Sequence, residues 1–321
     1  MKKLAISIMA VTVAFASAAA AENYPDRPIR VIVAVPAGGT PDVMARMITT
    51  GMSSVLGQPL VVDNRGGAGG LIGTETAAKS APDGYTLLVS SPGPLTILPH
   101  MRKQLGYDPQ RAFTPIGLIA SNPFLLITHP SVPAKNVKEL IALAKAEPGK
   151  LNYASAGSGA ANHLAMELFK SMAGVNITHV PYKGAPQAVT DVLAGHVDMM
   201  FNSIPPVLAH IKADRIRALG VGSLKRASQL PEVPTIDESG VKGYEAITWF
   251  GLLAPANTPK AILVRVSDAF AKVINAPDIR SALANQGAEP GSASAADFGA
   301  LIRRDLAKYA KVVKASGAKI D

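Results

Sequence analysis

The chain has 321 residues, 48% of them hydrophobic and 17% charged, which is enough apolar material for a packed core and excludes wholesale disorder and a coiled coil. It contains no cysteine, so disulfide frameworks, thiolate metal sites and cysteine nucleophiles are excluded together. Its 32 Lys and Arg residues outnumber its 23 Asp and Glu residues, and the formal charge of +9 suits an anionic small ligand better than it argues for nucleic acid.

The first predicted element is an export signal over residues 1–21. Lys2 and Lys3 precede an uncharged run that becomes rich in Ala and Ser towards its end, as in a cleaved signal peptide. The run is just long enough for a transmembrane helix, but it lacks a basic stop-transfer flank. We expect cleavage near Ala21, a mature chain that begins near Glu22, and a bacterial periplasmic location.

Short β-type runs then alternate with segments of helical periodicity, which is typical of an α/β fold with parallel strand pairing. One helix is predicted to begin with Thr40 as its N-cap and Pro41 in its first position, and to end at Gly57. The predicted strands are 30–35, 60–63, 85–90, 151–154, 178–181, 197–201 and 217–221. The other predicted helices are 136–146, 162–172, 186–194, one that starts at Thr258 and Pro259, and 295–314.

Two extended runs, 116–128 and 244–254, are too long for ordinary strands of five or six residues. Strands of this length can cross from one lobe of a molecule to another. The pattern therefore predicts a two-lobed clamshell with two crossover strands and a ligand cleft between the lobes. Lobe 1 would comprise residues 22–121 and 248–321, and lobe 2 residues 122–247.

Motifs for catalysis, metal binding and nucleic-acid binding are missing from the sequence. The six histidines, at positions 100, 129, 163, 179, 196 and 210, form no H-E-x-x-H motif, and neither Ser155 nor Ser158 lies in a G-x-S-x-G elbow. No Walker A lysine or dinucleotide fingerprint occurs, and aromatic residues make up only 5% of the chain. We therefore expect no catalytic group, no cofactor, no metal and no nucleic-acid partner.

Small-residue loops that join a strand end to a helix start recur along the chain: PAGGTPD, SSPGP and SAGSGAANH. Such loops present backbone N–H groups and the positive end of a helix, and both favour an anion. Ligands of open α/β sheets also collect at the carboxyl ends of the strands. Two such loops at equivalent positions in the two predicted lobes indicate a carboxylate site, although small loops can also serve tight packing alone.

These loops belong to a recognisable series of motifs that covers the chain from about residue 24 onwards: YPDRPIRVIV, PAGGTPDVMAR, VVDNRGGAGGLIGTETAAKSAPDGYTLL, LNYASAGSGAANHLAMELF, HVPYKGAPQAVTDVLAGHVDMMF, RALGVGSLKR and WFGLLAPANTPK. In this order they resemble the Bug-type solute-binding proteins of tripartite tricarboxylate transporters. The resemblance implies a type II periplasmic-binding-protein fold, a monomer that closes on a small carboxylate, and transporter subunits in the membrane as partners.

The resemblance also implies roles for individual residues. Gly38, Gly39 and Thr40 would bind the proximal carboxylate, and Asp42 of the same motif would either contact the ligand or serve the helix start. Further expected contacts are Ser90 and Ser91 in the first lobe and Ser155, Gly157, Ser158, His163, Tyr182 and Asn202 in the second. Lys183 is expected to turn outwards. Arg46, Arg65 and Asp198 are expected to pair within their own lobes.

Departures from the family pattern leave the ligand open. Ala34 and Val35 replace a proline and an aromatic residue, and Gly66 and Leu71 replace a proline and a polar residue. Asn202 lies where an aspartate is frequent, which disfavours an amino acid and leaves a dicarboxylate, a tricarboxylate or an aromatic acid. A ligand-presenting role for a membrane sensor is the first alternative to transport, and a periplasmic enzyme is the second.

Overall fold

The computed structural model describes residues 23–292 and 294–316, so the predicted signal peptide lies outside the described residues. Its strands are β1 (Ile29–Val33), β2 (Leu60–Asn64), β3 (Thr86–Ser90), β4 (Phe113–Thr128), β5 (Asn152–Ser155), β6 (Thr178–Pro181), β7 (Met199–Ser203), β8 (Arg217–Val221), β9 (Ile247–Pro255) and β10 (Glu289–Pro290). Its helices are α1 (Thr40–Leu56), α2 (Leu71–Ala78), α3 (Leu98–Met101), α4 (Val137–Ala146), α5 (Ala161–Ala173), α6 (Ala185–Leu193), α7 (Pro205–Lys212), α8 (Lys260–Ile274), α9 (Pro277–Asn285) and α10 (Ala295–Ser316).

The strands form one curled sheet in the order β2-β1-β3-β9-β4-β7-β5-β6, with β8 and β10 also paired to β4. Strands β1, β2 and β3 are parallel to one another, and β5 is parallel to β6 and β7. Each parallel group is joined through helices that pack on its faces, and this is the predicted α/β arrangement. No helix of residues 23–292 and 294–316 is long and apolar enough to cross a membrane.

The two long crossing strands are confirmed and pair with each other. β4 and β9 run antiparallel in a register that begins with Phe113 opposite Pro255 and ends with Pro123 opposite Ile247. Beyond this point β4 continues into the other half of the sheet, where it pairs with β7 and β8. A single strand thus belongs to both halves of the clamshell, whereas the lobe boundaries at residues 121 and 248 stay a prediction.

Each half of the sheet has its own hydrophobic core. In the first half, Met44, Ile48 and Met52 of α1 are buried together with the apolar residues of β1, β3 and α8. Cores on the two faces of the second half contain Phe169 of α5 and Val192 of α6, respectively. α1, α5 and α6 each begin soon after a strand of these parallel groups ends, so their N-termini lie at the edge of the sheet where those strands end.

Two helix starts differ from the prediction. Thr40 is the first residue of α1 rather than its N-cap, which is Gly39, so Pro41 occupies the second position. The carboxylate of Asp42, within the first turn of α1, accepts a hydrogen bond from the N–H of Gly38 at 2.9 Å and so supplies the side-chain acceptor at the helix start. Similarly, the hydroxyl of Thr258 donates to a carbonyl behind it at 2.7 Å, and α8 begins two residues later.

Other elements were shifted or missed. The extended run predicted from residue 244 begins as β9 only at Ile247, because the hydroxyl of the buried Tyr244, which precedes the strand, donates to the carbonyl of Ala165 in α5. Sequence periodicity gave no signal for α2, α7 or α9, which have only eight or nine residues each. α2 directly follows the glycine-rich segment RGGAGG.

The last helix, α10, links the two halves across the cleft region. Its Tyr309 and Val313 share a cluster with Ile97 and Met101 from the first half and Leu164 from the second. The indole N–H of the buried Trp249 on β9 donates to Asp305 of α10 at 2.6 Å. The hinge strands are therefore fixed to a helix that contacts both halves.

Candidate functional site

A cavity lies between the two halves, where the ends of the parallel strands meet. About 100 Å³ of it is accessible to the centre of a water molecule. It is lined by Ala34, Val35, Pro36, Gly39, Thr40, Pro41, Gly67, Gly69, Gly70, Ser91, Phe124, Ala156, Ala160, Ala161, Asn162, Lys183, Gly184, Ala185, Pro186, Asn202, Ser203, Thr248 and Phe250. Both halves of the sheet contribute to this lining, so a molecule inside would bridge them.

Four helix N-termini converge on the cavity. Its lining includes Gly39 before α1, Gly70 before α2, Ala160 before α5 and Gly184 before α6. Each helix carries about half a positive elementary charge at this end, where its first N–H groups have no partner within the helix. Lys183 adds the one charged side chain in the lining of the described cavity. The field inside favours an anion, and no side chain of the lining opposes it.

The first half supplies donors that have no partner among the described residues. The hydroxyl of Thr40, its backbone N–H and the hydroxyl of Ser91 make no hydrogen bond there, and both residues line the cavity. Asp42 lies behind them and is occupied by the N–H of Gly38 and by Arg46, 3.0 Å away. Burial alone would raise the pKa of Asp42, but these contacts outweigh it and lower the pKa. Asp42 therefore serves the helix start as an anion.

The second half supplies one conspicuous donor, the side-chain amide of Asn202 on β7. This residue is only 4% exposed, and its Nδ2 has no hydrogen-bond partner among the described residues. A buried donor without an acceptor destabilises a protein by about 1–3 kcal/mol. The neighbouring Asn162 is different, because its Oδ1 accepts from Ala156 and its Nδ2 donates to Phe201. Asn202 is thus the amide that an acceptor inside the cavity would satisfy.

The two sides of the cleft touch each other. A Cβ added to Gly69 would lie 2.8 Å from the carbonyl oxygen of Ser158 across the cleft, and one added to Gly184 would lie 2.5 Å from Cγ of Pro36. Gly69 has a φ of 68°, a left-handed conformation that glycine adopts without strain. Only glycine allows the loops to approach this closely, so the structure describes the cleft in a closed arrangement.

Comparison with known proteins identifies the family. The model of the tripartite tricarboxylate transporter family receptor, TctC, matches residues 44–318. The chain belongs to this receptor family. BugT of Bordetella pertussis is 38% identical over 316 residues, which cover 98% of this chain and 97% of BugT. The resemblance stated from the sequence is confirmed.

Solved structures of TctC relatives confirm the fold class. Rpa4515 of R. palustris with adipate is 36% identical, has a TM-score of 0.89, and covers 92% of this chain and 100% of its own. MatC of Rhodopseudomonas palustris with bound malate is 30% identical, has a TM-score of 0.86, and covers 90% of this chain and 100% of its own. The receptor therefore has the periplasmic-binding-protein clamshell that its sequence predicts.

Four of the twelve predicted contact residues line the cavity of this TctC receptor. They are Gly39, Thr40, Ser91 and Asn202. Gly38 lies outside the lining, since its N–H is directed to Asp42. Lys183 was expected to turn outwards: it is exposed, it is also one of the residues that line the cavity at the start of α6, and the direction of its ammonium group stays a prediction.

The other predicted serines of the receptor lie behind the cavity wall. Ser90 is buried 3.4 Å from the Thr74 hydroxyl, and Ser155 lies 2.6 Å from Nε2 of His179. The Ser155 hydroxyl oxygen also accepts from the N–H of Gly157, and that glycine is not in the lining. Ser158 contacts the opposite loop through its backbone. These residues shape the wall, and ligand contact by their side chains stays a prediction.

His163 and Tyr182 also support the wall of the receptor from behind. Nδ1 of His163 accepts from the N–H of Gly159 at 3.3 Å, and its ring stacks on His179 with centroids 4.2 Å apart. Burial, with Lys170 nearby, lowers the pKa of His163 to about 4. Burial and the adjacent His163 lower the pKa of His179 to about 3. Both imidazoles are neutral at pH 7; His163 accepts from the SAGSGA loop, and His179 shares a hydrogen bond with the Ser155 hydroxyl of the same loop.

The Tyr182 hydroxyl donates to Asp191 at 2.6 Å, and Tyr182 is not among the residues that line the cavity. Burial raises the pKa of Tyr182 to about 12, and Asp191 adds to the shift. Lobe-internal pairs were expected for Arg65 and Asp198, and these form: Arg65 lies 3.0 Å from Asp63, and Asp198 accepts from the N–H of Asn152. None of these groups is available to a ligand without rearrangement.

Sequence reasoning missed several parts of the lining. Gly67, Gly69 and Gly70 come from the RGGAGG loop, whose positive φ angles mark a segment that only glycine-rich sequence can form. Phe124 and Phe250 come from the two crossing strands and give the cavity an aromatic wall. Among residues 23–292 and 294–316, no group of three or more His, Asp or Glu could hold a metal ion.

Proposed function

We propose that this receptor binds a small organic carboxylate in the cavity and delivers it to a membrane transporter from the periplasm as a monomer, without changing it chemically. The observation that carries the proposal is the convergence of four helix N-termini and the unpartnered Asn202 amide on one cavity with a single charged side chain, Lys183. Carboxylate oxygens accept hydrogen bonds from all of these groups.

The ligand class follows from the same lining. In this proposal Thr40 and Ser91 would contact one end of an extended anion from the first half, and Asn202 and Lys183, which also line the cavity, would contact it from the second. Phe124 and Phe250 lie alongside and suit a short apolar segment between polar ends. Adipate and malate, the ligands of two solved relatives, are dicarboxylates of this kind. A dicarboxylate is the class that the cavity supports best.

Closure would couple binding to delivery. Because the lining comes from both halves, a bound anion stabilises the closed arrangement against open forms in the population. The closed surface, which brings Gly69 against Ser158, is then the form that a membrane carrier can distinguish from the empty protein. Deletion of the gene should abolish uptake of the ligand; loss of induction with uptake intact would instead support the sensor role.

The first test is thermal unfolding of the mature protein after removal of any co-purified ligand. Malate, adipate, citrate and benzoate are added in turn, with adipamide as the uncharged analogue of adipate. A ligand at 100 times its Kd adds about 2.7 kcal/mol, which raises Tm by several degrees in a chain of this size. Absence of a shift with every acid, or an equal shift with adipamide, would refute the carboxylate site.

Asn202→Asp tests the assigned donor. The substitution places a carboxylate against the bound anion, and like charges in contact should weaken binding by about tenfold or more. Asn176→Asp makes the same charge change at an exposed position outside the cavity and is the matched control. Calorimetric titration of both variants with the acid that gives the largest shift decides the matter. An unchanged Kd in Asn202→Asp would remove Asn202 from the site.

A further inference from the structure

A second opening lies at the hinge, separate from the carboxylate cavity. About 480 Å³ of this hinge groove is accessible to the centre of a water molecule. Ile247 lines the hinge groove, whereas the next residue of β9, Thr248, lines the carboxylate cavity. Successive side chains of a strand point to opposite faces. The two openings therefore lie on opposite faces of the same hinge strand, and they share no lining residue among those described.

The hinge groove is walled by both halves of the molecule. Its floor is formed by residues 121–123 of β4, one wall by residues 223–229, and the facing wall by residues 284 and 287–289. The side-chain amide of Gln229 donates to the carbonyl of Ala284 at 2.8 Å and so bridges the walls. A molecule held in the groove would contact the hinge and both halves at once.

The floor of the hinge groove holds a buried acceptor without a donor. Asn122 is 1% exposed, and its Nδ2 donates to the carbonyl of Gly287 at 3.2 Å. Its Oδ1 has no hydrogen-bond partner among the described residues. Exchanging the two amide atoms would set Oδ1 against the Gly287 carbonyl, so the orientation is fixed by that bond. An N–H donor is the group that this site lacks.

Carboxylates flank the floor on both sides. Glu289 of β10 lies opposite Ser121 in the strand register, and Glu245 lies two residues before Ile247, whose partner is Pro123. Neither carboxylate forms an ion pair with a described residue, and both line the groove. Acceptors from the floor and from two sides favour a cation that carries several N–H groups.

Of the two basic residues in the lining of the hinge groove, one is already paired, and outside the lining Lys308 of α10 donates to the backbone carbonyl of Glu245 at 3.5 Å. Arg226 lines the groove, but it is paired with Glu238 at 2.9 Å. Lys225 is exposed at the same wall, and Leu224 beside it is 58% exposed, an apolar surface for an alkyl chain. Within the described part of the chain, the unpaired lining charges are therefore two carboxylates and one ammonium.

We propose that the hinge groove binds an aliphatic cation through an ammonium or guanidinium group, and that the bound cation strengthens carboxylate binding on the opposite face of the hinge. A molecule that contacts both walls stabilises the closed arrangement, and by linkage the two ligands strengthen each other equally. The coupling rests on the proposed carboxylate function, whereas the cation site does not.

The test is calorimetric titration of the mature protein with putrescine, in the absence of any carboxylate. We expect saturable binding to one site, with no heat from the uncharged analogue 1,4-butanediol. Glu245→Gln and Glu289→Gln should each weaken binding by about threefold or more, whereas Glu232→Gln, an exposed position outside the groove, should not. Thermal unfolding of each variant establishes that it is folded.

Two further experiments test where the bound cation comes from and whether it strengthens carboxylate binding. A short lysine peptide with blocked termini replaces putrescine; saturation by the peptide alone would assign the groove to a lysine of a partner protein. Saturating cation should then lower the Kd for the carboxylate by about fivefold or more. Absence of saturation by both probes, or binding that both glutamine variants leave unchanged, overturns the cation site. An unchanged carboxylate Kd overturns the coupling alone.

Discussion

The buried His163 should make the stability of the receptor sensitive to acid. Its Nδ1 accepts a hydrogen bond from Gly159 in the loop that walls the cavity, and this requires an unprotonated ring nitrogen. The imidazole is 5% exposed, and burial lowers its pKa from 6.5 to about 4. The unfolded chain therefore binds this proton at a higher pH than the folded protein does. The stability that comes from keeping His163 neutral is fully present above pH 6.5 and is lost as the pH falls towards 4.

The size of the effect follows from the two pKa values. The pKa of His163 is about 4 in the folded protein and 6.5 in the unfolded chain. Its titration therefore lowers the free energy of unfolding by about 2 kcal/mol at pH 5 and about 3 kcal/mol at pH 4. His179, stacked on His163 with centroids 4.2 Å apart, titrates in the same direction and adds to the loss in the wild type.

Urea unfolding of the wild type and His163→Asn across this pH range measures the contribution. The Asn side chain can still accept from Gly159 but does not titrate, so the variant should lose about 2 kcal/mol less than the wild type between pH 7 and pH 5. His210→Asn, on α7 and without a side-chain hydrogen bond to any described residue, is the matched control and should follow the wild type. Parallel pH profiles for wild type and His163→Asn would refute the assignment.

Three further substitutions test closure, the hinge anchor and a helix cap. Gly184→Ala places a Cβ 2.5 Å from Cγ of Pro36 across the cleft, so calorimetry should show carboxylate binding weakened by about tenfold. Trp249→Phe removes the 2.6 Å hydrogen bond to Asp305 and should lower the free energy of urea unfolding by about 2 kcal/mol. Asn136→Ala removes the acceptor for the N–H three residues later, a helix-cap loss of about 1 kcal/mol in the same assay.

Each of these expectations has a result that would contradict it. Gly299→Ala adds a methyl group at a helix position with ordinary contacts and is the control for Gly184→Ala; equal binding by both variants would mean that the cleft does not close as described. Trp249→Phe with wild-type stability would show that its hydrogen bond contributes nothing. Asn136→Ser keeps a capping oxygen and brings no charge against Glu139, so a loss as large as that of the alanine variant would contradict the capping role.

The architecture was predictable because it is expressed in the length and composition of segments. A strand of sixteen residues such as β4 has no place in a single small sheet, and a second long run that returns to the same region implies a crossing in each direction. Boundaries were less predictable, since they depend on tertiary hydrogen bonds. The side-chain hydroxyl of Tyr244, for example, holds a segment in a loop that its apolar composition assigned to a strand.

The site was only partly predictable, because a motif shows which loop reaches the ligand but not which of its side chains do. Ser90 and Ser91 were both expected in the cleft, yet adjacent residues at a strand end point to opposite sides. Ser90 ends β3 and points back to Thr74, and Ser91 lines the cavity. Ser155 likewise ends β5, and its side chain is directed to His179, away from the lining. Successive side chains of a strand alternate between its two faces, so only one of two neighbouring residues can point to the cavity.

The net charge of the chain carries less information about the site than the positions of its helix starts do. Many of its basic side chains are consumed locally: Arg46 pairs with Asp42, and Arg65 pairs with Asp63, both at 3.0 Å. The cavity itself contains one charged side chain in the described lining, and the rest of its positive character comes from backbone N–H groups at four helix starts. Backbone dipoles do not appear in a count of charged residues. The anion preference that we propose for this receptor would therefore be encoded by where its helices begin, and a variant that shifts a helix start should change selectivity more than one that removes a surface lysine.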